Sequence, residues 1–322
     1  MRKLRAGYLA LTFAATFAAL AISASIARAQ NSVAGNFHLS SARGPLRQVD
    51  LSPMKGNVSS EILAGPTNGL DVAYIVYTRM AAGVGKKGLY TLPVDHTYLV
   101  LEGKMNVQLG TDEFVAAPET LVLAPAGVPH QIWNAGSEQV TEYEVITPNP
   151  SRDLVSMMKP AQPRKVENAA QYIRVAPPLD KLAGGTGHES LNERVLADKT
   201  TGSPNVLERL NDVLPGGGRT NTHMHPFDQL YFIRKGTMTV LYGMKTYQAG
   251  PNTLVVLPAG VVHNNSNDGT GVNSYITLLL PDIQPRGADV QIGGGGGQGQ
   301  GGGQGRSGAG RGRGAQPTTQ AR

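Results

Sequence analysis

The stretch HMHPFDQLYFIRKG, residues 223–236, combines two closely spaced histidines with an apolar, strand-like run that ends at a glycine. Side chains at positions i and i+2 of a strand lie on the same face of the sheet, so His223 and His225 would point the same way. This arrangement is typical of half of a metal site. Gln229 occupies the position at which such a site would be expected to supply a carboxylate, which raises the question of what chemistry the site retains.

The same pattern occurs 133 residues earlier, in YTLPVDHTYLVLEG, residues 90–103. Alignment of residues 90–134 with residues 223–267 needs no gap and gives 18 identities in 45 positions, so the chain contains an internal duplication. Each copy consists of short apolar runs separated by turns that contain glycine and proline. Such a series predicts an all-β sandwich or barrel. Short helical turns are expected only within residues 151–160 and 187–198.

A third histidine completes the candidate site in the second copy. His263 lies just after a Pro-Ala-Gly turn, and closing a barrel would bring its strand against the strand of the paired histidines. Three imidazoles favour Zn, Mn, Fe, Ni or Cu over Ca or Mg. We therefore predict one divalent transition metal bound by His223, His225 and His263, with the amide oxygen of Gln229 as a weaker ligand. The alternative is that the three histidines are unrelated polar residues.

The neutral side chain of Gln229 has two consequences for the predicted metal site. Three imidazoles and an amide leave the metal charge uncompensated, which favours an anionic or enolate-like oxygen ligand. An amide also cannot act as a general base, as a carboxylate could. Tyr231 has the same strand parity and is the candidate catalytic residue, with an ordinary packed aromatic as the alternative. Asp228 has the opposite parity and is predicted to be a structural turn residue.

The first copy lacks the paired histidines. Tyr90 and Leu92 occupy their positions, and His96 occupies the position of the amide. His96 and His130 could face one another and form a possible secondary site, but two ligands rarely make a strong metal site. A vestigial or substrate-binding barrel is therefore favoured over a second metal centre. Trp133 could line this cavity or simply pack, and two further histidines are expected on the surface, His38 and His188.

The first 29 residues have the features of a cleavable signal peptide. A basic start that contains Arg2, Lys3 and Arg5 is followed by an apolar stretch and an Ala-Arg-Ala sequence that ends at Ala29. We expect cleavage after Ala29 and a periplasmic or secreted protein; the alternative is an uncleaved membrane anchor. No twin-arginine pair occurs near the start, so the chain would be exported unfolded. No later stretch is apolar enough to anchor it in a membrane.

The composition limits both the ligand chemistry and the partners. The chain contains no cysteine, so a metal must be bound by histidine, carboxylate, amide or water. The formal net charge is +6, but residues 1–29 and 290–322 each carry four basic and no acidic groups, which leaves 21 basic against 23 acidic residues between them. This balance gives no support for nucleic-acid binding, and the expected partner is a small molecule. The glycine-rich tail, residues 286–322, is predicted to be disordered.

The spacing of histidines and glycines resembles the cupin superfamily, which is marked by the motifs G-x5-H-x-H-x3,4-E-x6-G and G-x5–7-P-x-G-x2-H-x3-N. The second copy matches every spacing of both motifs, with glutamine in place of the glutamate, at Gly217, His223, His225, Gln229 and Gly236 and at Gly250, Pro258, Gly260, His263 and Asn267. The first copy keeps the last glycine of the first motif and most of the second motif, at Gly103 and at Pro125, Gly127, His130 and Asn134.

Two such copies resemble a bicupin of the quercetin dioxygenase type. The resemblance implies two tandem double-stranded β-helix (jelly-roll) barrels, at residues 45–150 and 178–285, joined by a linker at residues 151–177. It also implies a metal-dependent enzyme that acts with O2 on a small enolate- or carbonyl-bearing substrate, and the predicted signal peptide adds that this enzyme would be exported. The alternatives are an O2-independent isomerase, lyase or cyclase, and a non-catalytic periplasmic cupin that binds a sugar, a small ligand or metal. A bicupin could be a monomer or a homodimer.

Overall fold

The computed structural model describes residues 37–39, 44–179, 181–184, 190–219, 221–281 and 290–292. Within these ranges almost all regular structure is β-strand, which confirms the predicted all-β class. The predicted signal peptide, the predicted surface residue His188 and most of the predicted tail lie outside the described residues. None of the described helices is long and apolar enough to span a membrane.

The first half of the chain forms a barrel of two sheets. In chain order its strands are β1 (Phe37–Leu39), β2 (Leu46–Gln48), β3 (Val58–Ala64), β4 (Tyr74–Met80), β5 (Tyr90–Thr91), β6 (Asp95–Glu102), β7 (Met105–Leu109), β8 (Asp112–Ala116), β9 (Thr120–Ala124), β10 (His130–Trp133), β11 (Val140–Thr147), β12 (Lys159–Pro160) and β13 (Ile173–Val175). Apart from β2, they form sheets with the orders β1-β3-β4-β11-β6-β9-β13 and β12-β5-β10-β7-β8. These two sheets make up the N-terminal barrel.

The second half of the chain repeats this plan. Its strands are β14 (Asn192–Ala197), β15 (Leu207–Val213), β16 (His223–Met224), β17 (Asp228–Lys235), β18 (Met238–Tyr242), β19 (Lys245–Ala249), β20 (Thr253–Leu257), β21 (His263–Ser266), β22 (Asn273–Leu280) and β23 (Val290–Gln291). The sheets of this C-terminal barrel have the orders β14-β15-β22-β17-β20-β2 and β19-β18-β21-β16-β23. The register is repeated too: Tyr143 lies opposite Leu99, and Ile276, at the equivalent position, lies opposite Phe232. The sequence duplication is therefore a duplication of whole barrels.

Each barrel borrows one strand from the segment that precedes the other barrel. β13 precedes the C-terminal barrel but pairs with β9, where Ile173 lies opposite Val122. β2 precedes the N-terminal barrel but pairs with β20, where Leu46 lies opposite Val255. This exchange differs from the expected division, which placed β2 in the N-terminal barrel and β13 in a linker. Local periodicity does not reveal pairing between such distant segments.

A shared apolar core lies between the two large sheets. Phe232 of the C-terminal barrel packs against Tyr77 and Tyr143 of the N-terminal barrel, with ring centroids 5.8 and 4.9 Å apart. All three belong to one continuous cluster of buried side chains that draws on both barrels. Removing this apolar surface from water is the main favourable contribution to the contact between the barrels.

One acidic side chain is buried in this interface. Glu208 of β15 has no solvent exposure, and its Oε2 accepts a hydrogen bond from the Oγ1 of Thr97, 3.0 Å away in the other barrel. Its second oxygen has no hydrogen-bond partner. Burial raises the pKa of Glu208 from 4.5 to about 8, so the side chain is protonated at neutral pH. The equivalent position of the N-terminal barrel, 133 residues earlier, holds the apolar Ile75.

Helices in the described residues are short connecting turns. α1 (Leu154–Met157) is capped by the carboxylate of the preceding aspartate, and two 3-10 helices span Ala169–Tyr172 and Lys199–Thr201. The helical turn predicted within residues 151–160 is confirmed. Within residues 187–198, Ser190 has 3-10 helical structure, whereas Asn192–Ala197 pairs with β15 as β14. The predicted helical turn is therefore confirmed only at the start of the segment, because tertiary pairing overrides the weak helical pattern of the rest.

Part of the predicted disordered tail is ordered. Val290–Gln291 forms β23, which pairs with β16 beside His223, and the N–H of Ile292 donates to the carbonyl oxygen of Thr222 at 2.9 Å. β12 adds to β5 in the same way at the equivalent edge of the N-terminal barrel. The prediction of disorder is therefore wrong for residues 290–292, where backbone hydrogen bonds to the sheet edge hold the chain.

Candidate metal centre

Two strands of the C-terminal barrel bring three histidines together. His223 of β16 lies directly opposite His263 of β21, and His225 follows two residues later. One ring nitrogen of each histidine lies within 4.8 Å of the others. All three side chains are buried. The fold therefore assembles the histidine triad that the sequence spacing suggested.

The outward nitrogen of each of these rings is fixed by a backbone carbonyl. The Nδ1 atoms of the three histidines lie 2.7–2.9 Å from the carbonyl oxygens of Asn221, Phe227 and Val261. A carbonyl oxygen only accepts hydrogen bonds, so each Nδ1 carries the proton and each Nε2 is left to present its lone pair. Metal-binding histidines in proteins are held in this way.

The Nε2 atom of His263 is buried and has no hydrogen-bond partner. Burial, together with the neighbouring His223 and His225, lowers the pKa of this ring to about 3, so it is neutral at physiological pH. A buried polar atom without a partner costs about 1–3 kcal/mol. A metal ion bound at this nitrogen would remove that cost, and the site therefore fits a metal ion.

Gln229 directs its amide oxygen towards the histidines. Its Oε1 lies 2.5 Å from the Nε2 of His225, and its Nε2 donates a hydrogen bond to the hydroxyl oxygen of Tyr231 at 2.6 Å. With the amide held in this orientation, lone pairs of His225 and Gln229 face one another, which is favourable only when a cation lies between them. The suggested weak fourth ligand is thus positioned beside the triad.

Tyr231 connects the site to a chain of buried polar groups. Its hydroxyl donates to the Oδ1 of Asn265 at 3.3 Å, and the Nδ2 of Asn265 donates to the hydroxyl oxygen of Tyr275 at 3.5 Å. Burial raises the pKa of Tyr275 well above its ordinary value, so this residue remains a neutral phenol. Tyr231 therefore contacts a candidate ligand and fixes its orientation, which goes beyond the packing role left open by the sequence.

The aspartates at equivalent positions of the two copies are structural. The Oδ1 of Asp228 accepts a hydrogen bond from the N–H of Ala259 at 2.8 Å, and the Oδ1 of Asp95 accepts one from the N–H of Ala126 at 3.0 Å. Each carboxylate thereby holds the Pro-Ala-Gly turn that precedes a histidine-bearing strand. This confirms the turn role predicted for Asp228.

The N-terminal barrel brings His96 and His130 together as well. The Nδ1 of His96 lies 3.3 Å from the Nε2 of His130, and the Nε2 of His96 lies 2.8 Å from the Oε2 of Glu144. The hydroxyl of Tyr98 lies 2.9 Å from the Nδ1 of His96, and the hydroxyl of Tyr90 lies 2.7 Å from that of Tyr98. All five side chains are buried. The suggested secondary pair is therefore embedded in a connected polar cluster.

Two glutamates of β11 supply acid groups to this cluster. Glu144 accepts a hydrogen bond from the Oγ1 of Thr78 at 2.5 Å. Burial opposes the ionisation of Glu144, but its hydrogen bond and charge interaction with His96 outweigh burial and lower its pKa. Burial, and then the charge of Glu144, raise the pKa of Glu142 well above its ordinary range. The environment therefore favours the ionised form of Glu144 and the protonated form of Glu142.

Sequence reasoning missed the glutamates of the N-terminal barrel and an asparagine of the C-terminal barrel. Glu142 and Glu144 alternate along VTEYEVIT, residues 140–147, a strand in which every residue is buried. Charged residues are almost never fully buried unless they are paired, so this alternation was an available signal. The strand parity that Asn265 shares with His263 was a second available signal.

Two remaining expectations concern Trp133 and His38. Trp133 is buried at the end of β10, and the ammonium group of Lys86 lies 4.6 Å from its ring centroid. The ring therefore packs beneath a cation, one of the two roles that the sequence left open. His38 lies on β1, and its surface position stays a prediction.

Comparisons with known proteins agree with this architecture. The Cupin domain model matches residues 78–146 and 210–278, while a search of curated protein sequences gave no match. Similar solved structures include oxalate decarboxylase from Lactobacillus farciminis in a formate complex, with 10% identity over 78% of this chain and 89% of that chain and a TM-score of 0.55. AerE from Microcystis aeruginosa has 14% identity over 73% and 96% of the two chains, with a TM-score of 0.52.

Oxalate decarboxylase from Bacillus subtilis at pH 4.6 is a third structure of this kind, with 14% identity over 69% of this chain and 70% of that chain and a TM-score of 0.52. At such identities the likeness shows the fold. Both repeats are thus cupin domains, and the chain is a bicupin of the cupin superfamily, as the motif resemblance implied.

Proposed function

We propose that this bicupin is an exported, metal-dependent enzyme whose C-terminal barrel acts on a small enolate- or carbonyl-bearing molecule. The observation that carries the proposal is the convergence of three imidazoles and an amide oxygen in a buried site, in which the ligand group found among the described residues contains no carboxylate. A divalent transition metal bound there would supply Lewis-acid polarisation of a substrate oxygen.

The protein's own groups set the charge and the rigidity of this site. His223, His225 and His263 would hold the ion through their Nε2 atoms, and Gln229 would hold it through Oε1. Because all four donors are neutral, the site favours an anionic substrate oxygen over a neutral one. Backbone carbonyls fix the rings and Tyr231 fixes the amide, so the donors need little rearrangement when a ligand binds.

None of these donors is suited to remove a proton from the substrate. The amide of Gln229 carries no titratable proton near neutral pH, and the hydroxyl of Tyr231 is already engaged with Asn265. The substrate should therefore be acidic enough to bind as its own anion, as flavonols and 1,3-dicarbonyl compounds are. This requirement favours dioxygenase-like chemistry on an enolate and is equally compatible with an O2-independent isomerisation, elimination or cyclisation of the same anion.

The solved structures of similar fold are consistent with a small, oxygen-rich ligand. Two of them are oxalate decarboxylases, one in complex with formate, so the ligands named for these proteins are small carboxylate anions. At 10–14% identity they do not assign the reaction of this chain. They support the proposed charge and size class of the ligand.

Metal analysis and turnover assays test the enzyme proposal together. Protein purified from its export compartment should carry a divalent transition metal that the His263→Ala variant lacks. The metal-loaded protein is then incubated with flavonols and 1,3-dicarbonyl compounds while O2 and products are followed. O2 consumption that is lost in His263→Ala supports the dioxygenase form, and turnover under strict anaerobiosis supports the O2-independent form. Wild-type protein that binds no divalent metal contradicts both.

A non-catalytic binding protein is the second candidate, and the replacement of an expected carboxylate by Gln229 favours it. The His223→Ala variant separates the two functions. In a binding module, affinity for a panel of sugars and small carboxylates should survive the loss of the metal. In the enzyme, turnover should disappear with the metal.

Export is the part of the proposal that rests on residues 1–29. N-terminal sequencing of protein recovered from the periplasm or the culture medium should begin at Gln30. Recovery of the uncleaved chain in the membrane fraction would support the anchored alternative instead.

A further inference from the structure

The N-terminal barrel contains four donor atoms that the proposed function does not use. They are the inward ring nitrogens of His96 and His130 and the hydroxyl oxygens of Tyr90 and Tyr98. We propose that these atoms form a second metal site of different chemistry, which binds a ferric ion through two imidazoles and two phenolates.

The hydrogen bonds of the two histidines leave lone pairs that face one another. The Nδ1 of His130 lies 2.8 Å from the carbonyl oxygen of Val128, so Nδ1 carries the proton and Nε2 does not. The Nε2 of His96 lies 2.8 Å from the carboxylate of Glu144 and therefore carries the proton of that ring. The two remaining nitrogens are only 3.3 Å apart. The hydroxyl of Tyr98, 2.9 Å away, can donate its proton to the Nδ1 of His96, whereas the Nε2 of His130 then faces a lone pair. A cation between the two nitrogens would stabilise this arrangement.

Three successive separations between the donor atoms are close to those within one coordination shell. The hydroxyls of Tyr90 and Tyr98 are 2.7 Å apart, the hydroxyl of Tyr98 is 2.9 Å from His96, and His96 is 3.3 Å from His130. Ligands at about 2.0–2.2 Å from one ion are separated by about 2.8–3.6 Å in octahedral or tetrahedral geometry. The rings of Tyr90 and His130 are also neighbours, with centroids 4.4 Å apart.

Charge selects a trivalent ion for this site. Burial raises the pKa of both phenols well above its ordinary value, so they are neutral until the ion binds. When the ion binds, the two phenol protons leave to solvent, and the phenolates of Tyr90 and Tyr98 then carry two negative charges. The buried carboxylate of Glu144 supplies a third. A ferric ion balances all three charges, whereas a divalent ion leaves a net negative charge in a buried environment, which is costly. Phenolate oxygen is also a hard donor, which suits ferric iron better than softer ions.

Glu144 is a positioning residue for this site. Its Oε2 lies against the Nε2 of His96, and its Oε1 accepts a hydrogen bond from the Oγ1 of Thr78. This Oγ1 in turn lies 2.8 Å from the Oγ of Ser60. A carboxylate behind a ligating imidazole fixes the ring and increases its basicity. The chain of hydrogen bonds therefore orients His96 with Nδ1 towards the other donors.

The repeat places this group at the same location in its barrel as the C-terminal site. The four proposed ligands lie 133 residues before His223, Gln229, Tyr231 and His263, in the order Tyr90, His96, Tyr98 and His130. Three of the four C-terminal positions belong to the candidate ligands of the divalent metal. One duplicated scaffold would thus hold two ions of different charge.

Visible absorption spectroscopy of the full-length protein tests this proposal. Protein loaded with ferric citrate should become coloured through phenolate-to-iron charge transfer, with one ferric ion per chain bound outside the C-terminal site. Tyr98→Phe and Tyr90→Phe should each shift or weaken the absorption band, and the double variant should lose it. Glu144→Gln should weaken ferric binding about 10- to 100-fold.

Two variants are matched controls for this experiment. Tyr143→Phe removes a buried hydroxyl that has no hydrogen-bond partner and lies in the core between the barrels. His263→Ala removes a ligand from the other barrel. Both should keep the colour, and circular dichroism establishes that each variant is folded. A wild-type protein that takes up no ferric ion, or takes it up without the absorption band, overturns the proposal, as does a band that survives in the double tyrosine variant.

Discussion

The two barrels share one backbone plan but place different chemistry at its centre. Strand order, register and the 133-residue offset repeat from one barrel to the other. In the C-terminal barrel, Thr277 donates a hydrogen bond to Asn211 at 2.7 Å. In the N-terminal barrel, the equivalent positions hold Glu144 and Thr78, so that a carboxylate takes the place of a hydroxyl.

The scaffold therefore sets the orientation of side chains at the centre of each barrel but not the chemistry that they carry. His130 and His263 are equivalent, and each donates its Nδ1 proton to the carbonyl oxygen two residues earlier in the chain. The orientation of this imidazole is therefore a property of the fold. The groups opposite this imidazole differ between the barrels. The C-terminal barrel presents imidazoles and an amide, whereas the N-terminal barrel presents phenols, a second imidazole and buried carboxyls. Function must be argued from these groups, barrel by barrel.

The greatest change in stability should come from the interface between the barrels, where Glu208 of the C-terminal barrel occupies the position equivalent to Ile75 of the N-terminal barrel. The raised pKa of Glu208 stabilises the folded state below pH 4.5, and this contribution is lost as the pH rises towards about 8. The full shift corresponds to about 5 kcal/mol at most. Glu208→Gln should remove most of the pH dependence. Urea unfolding at pH 5 and pH 9 measures this pH dependence. If the free energy of unfolding changed equally between the two pH values in the wild type and the variant, Glu208 would not be protonated in the fold.

The next largest effect separates the two metal sites. His263→Ala should weaken divalent metal binding about 100- to 1000-fold, or roughly 3–4 kcal/mol, because one of four donors is removed. The equivalent change in the other barrel, His130→Ala, should leave this binding unchanged. Calorimetric titration with Zn or Mn measures both affinities. An equal loss in the two variants would mean that the barrels do not bind metal independently.

A smaller effect tests the packing around equivalent glycines. Gly110 and Gly243 have φ of +62° and +61°, so alanine is strained equally at both. A Cβ at Gly110 would lie 2.1 Å from the carbonyl oxygen of Arg164, whereas at Gly243 nothing lies within 4 Å. Gly110→Ala should therefore cost about 1–3 kcal/mol more than Gly243→Ala. Chemical denaturation of the two variants measures the difference. Equal losses of stability would show that the segment around Arg164 moves to accommodate the added methyl group.

The smallest effect restores a carboxylate to the C-terminal site. Gln229→Glu should strengthen divalent metal binding about tenfold, or roughly 1.4 kcal/mol, because a negative charge replaces a neutral donor. The gain should fade at acidic pH as the new carboxyl becomes protonated. Titration at two pH values measures both features. Weaker binding in the variant would indicate that the amide does not ligate the ion.

The fold and the triad could be predicted from the sequence because both follow from the spacing of residues along the chain. Two histidines at i and i+2, a third after a turn and an ungapped repeat fix which side chains share a face. Gln229 was found in the same way, since its distance from His225 matches the motif. In these places strand parity alone determines what converges, and no knowledge of distant pairing is needed.

The remaining features depend on contacts between distant segments. The exchange of β2 and β13 follows from pairing that no local pattern encodes. The role of Glu144 depends on β11 lying beside β6, which carries His96. The ordering of residues 290–292 depends on a free sheet edge at β16. Periodicity tells which face of a strand is buried but not which strand covers it.

The strand exchange also governs how the molecule can be completed during synthesis and how it can change in evolution. The side chains of Gln48 and Thr253 hydrogen-bond across the β2–β20 pair although they are 205 residues apart in the chain. A chain that emerges N-terminus first must hold β2 unpaired until nearly the whole second barrel has followed, so closure is slow and comes late. Once each copy had lent a strand to the other, neither copy could be deleted or transplanted without leaving an open edge.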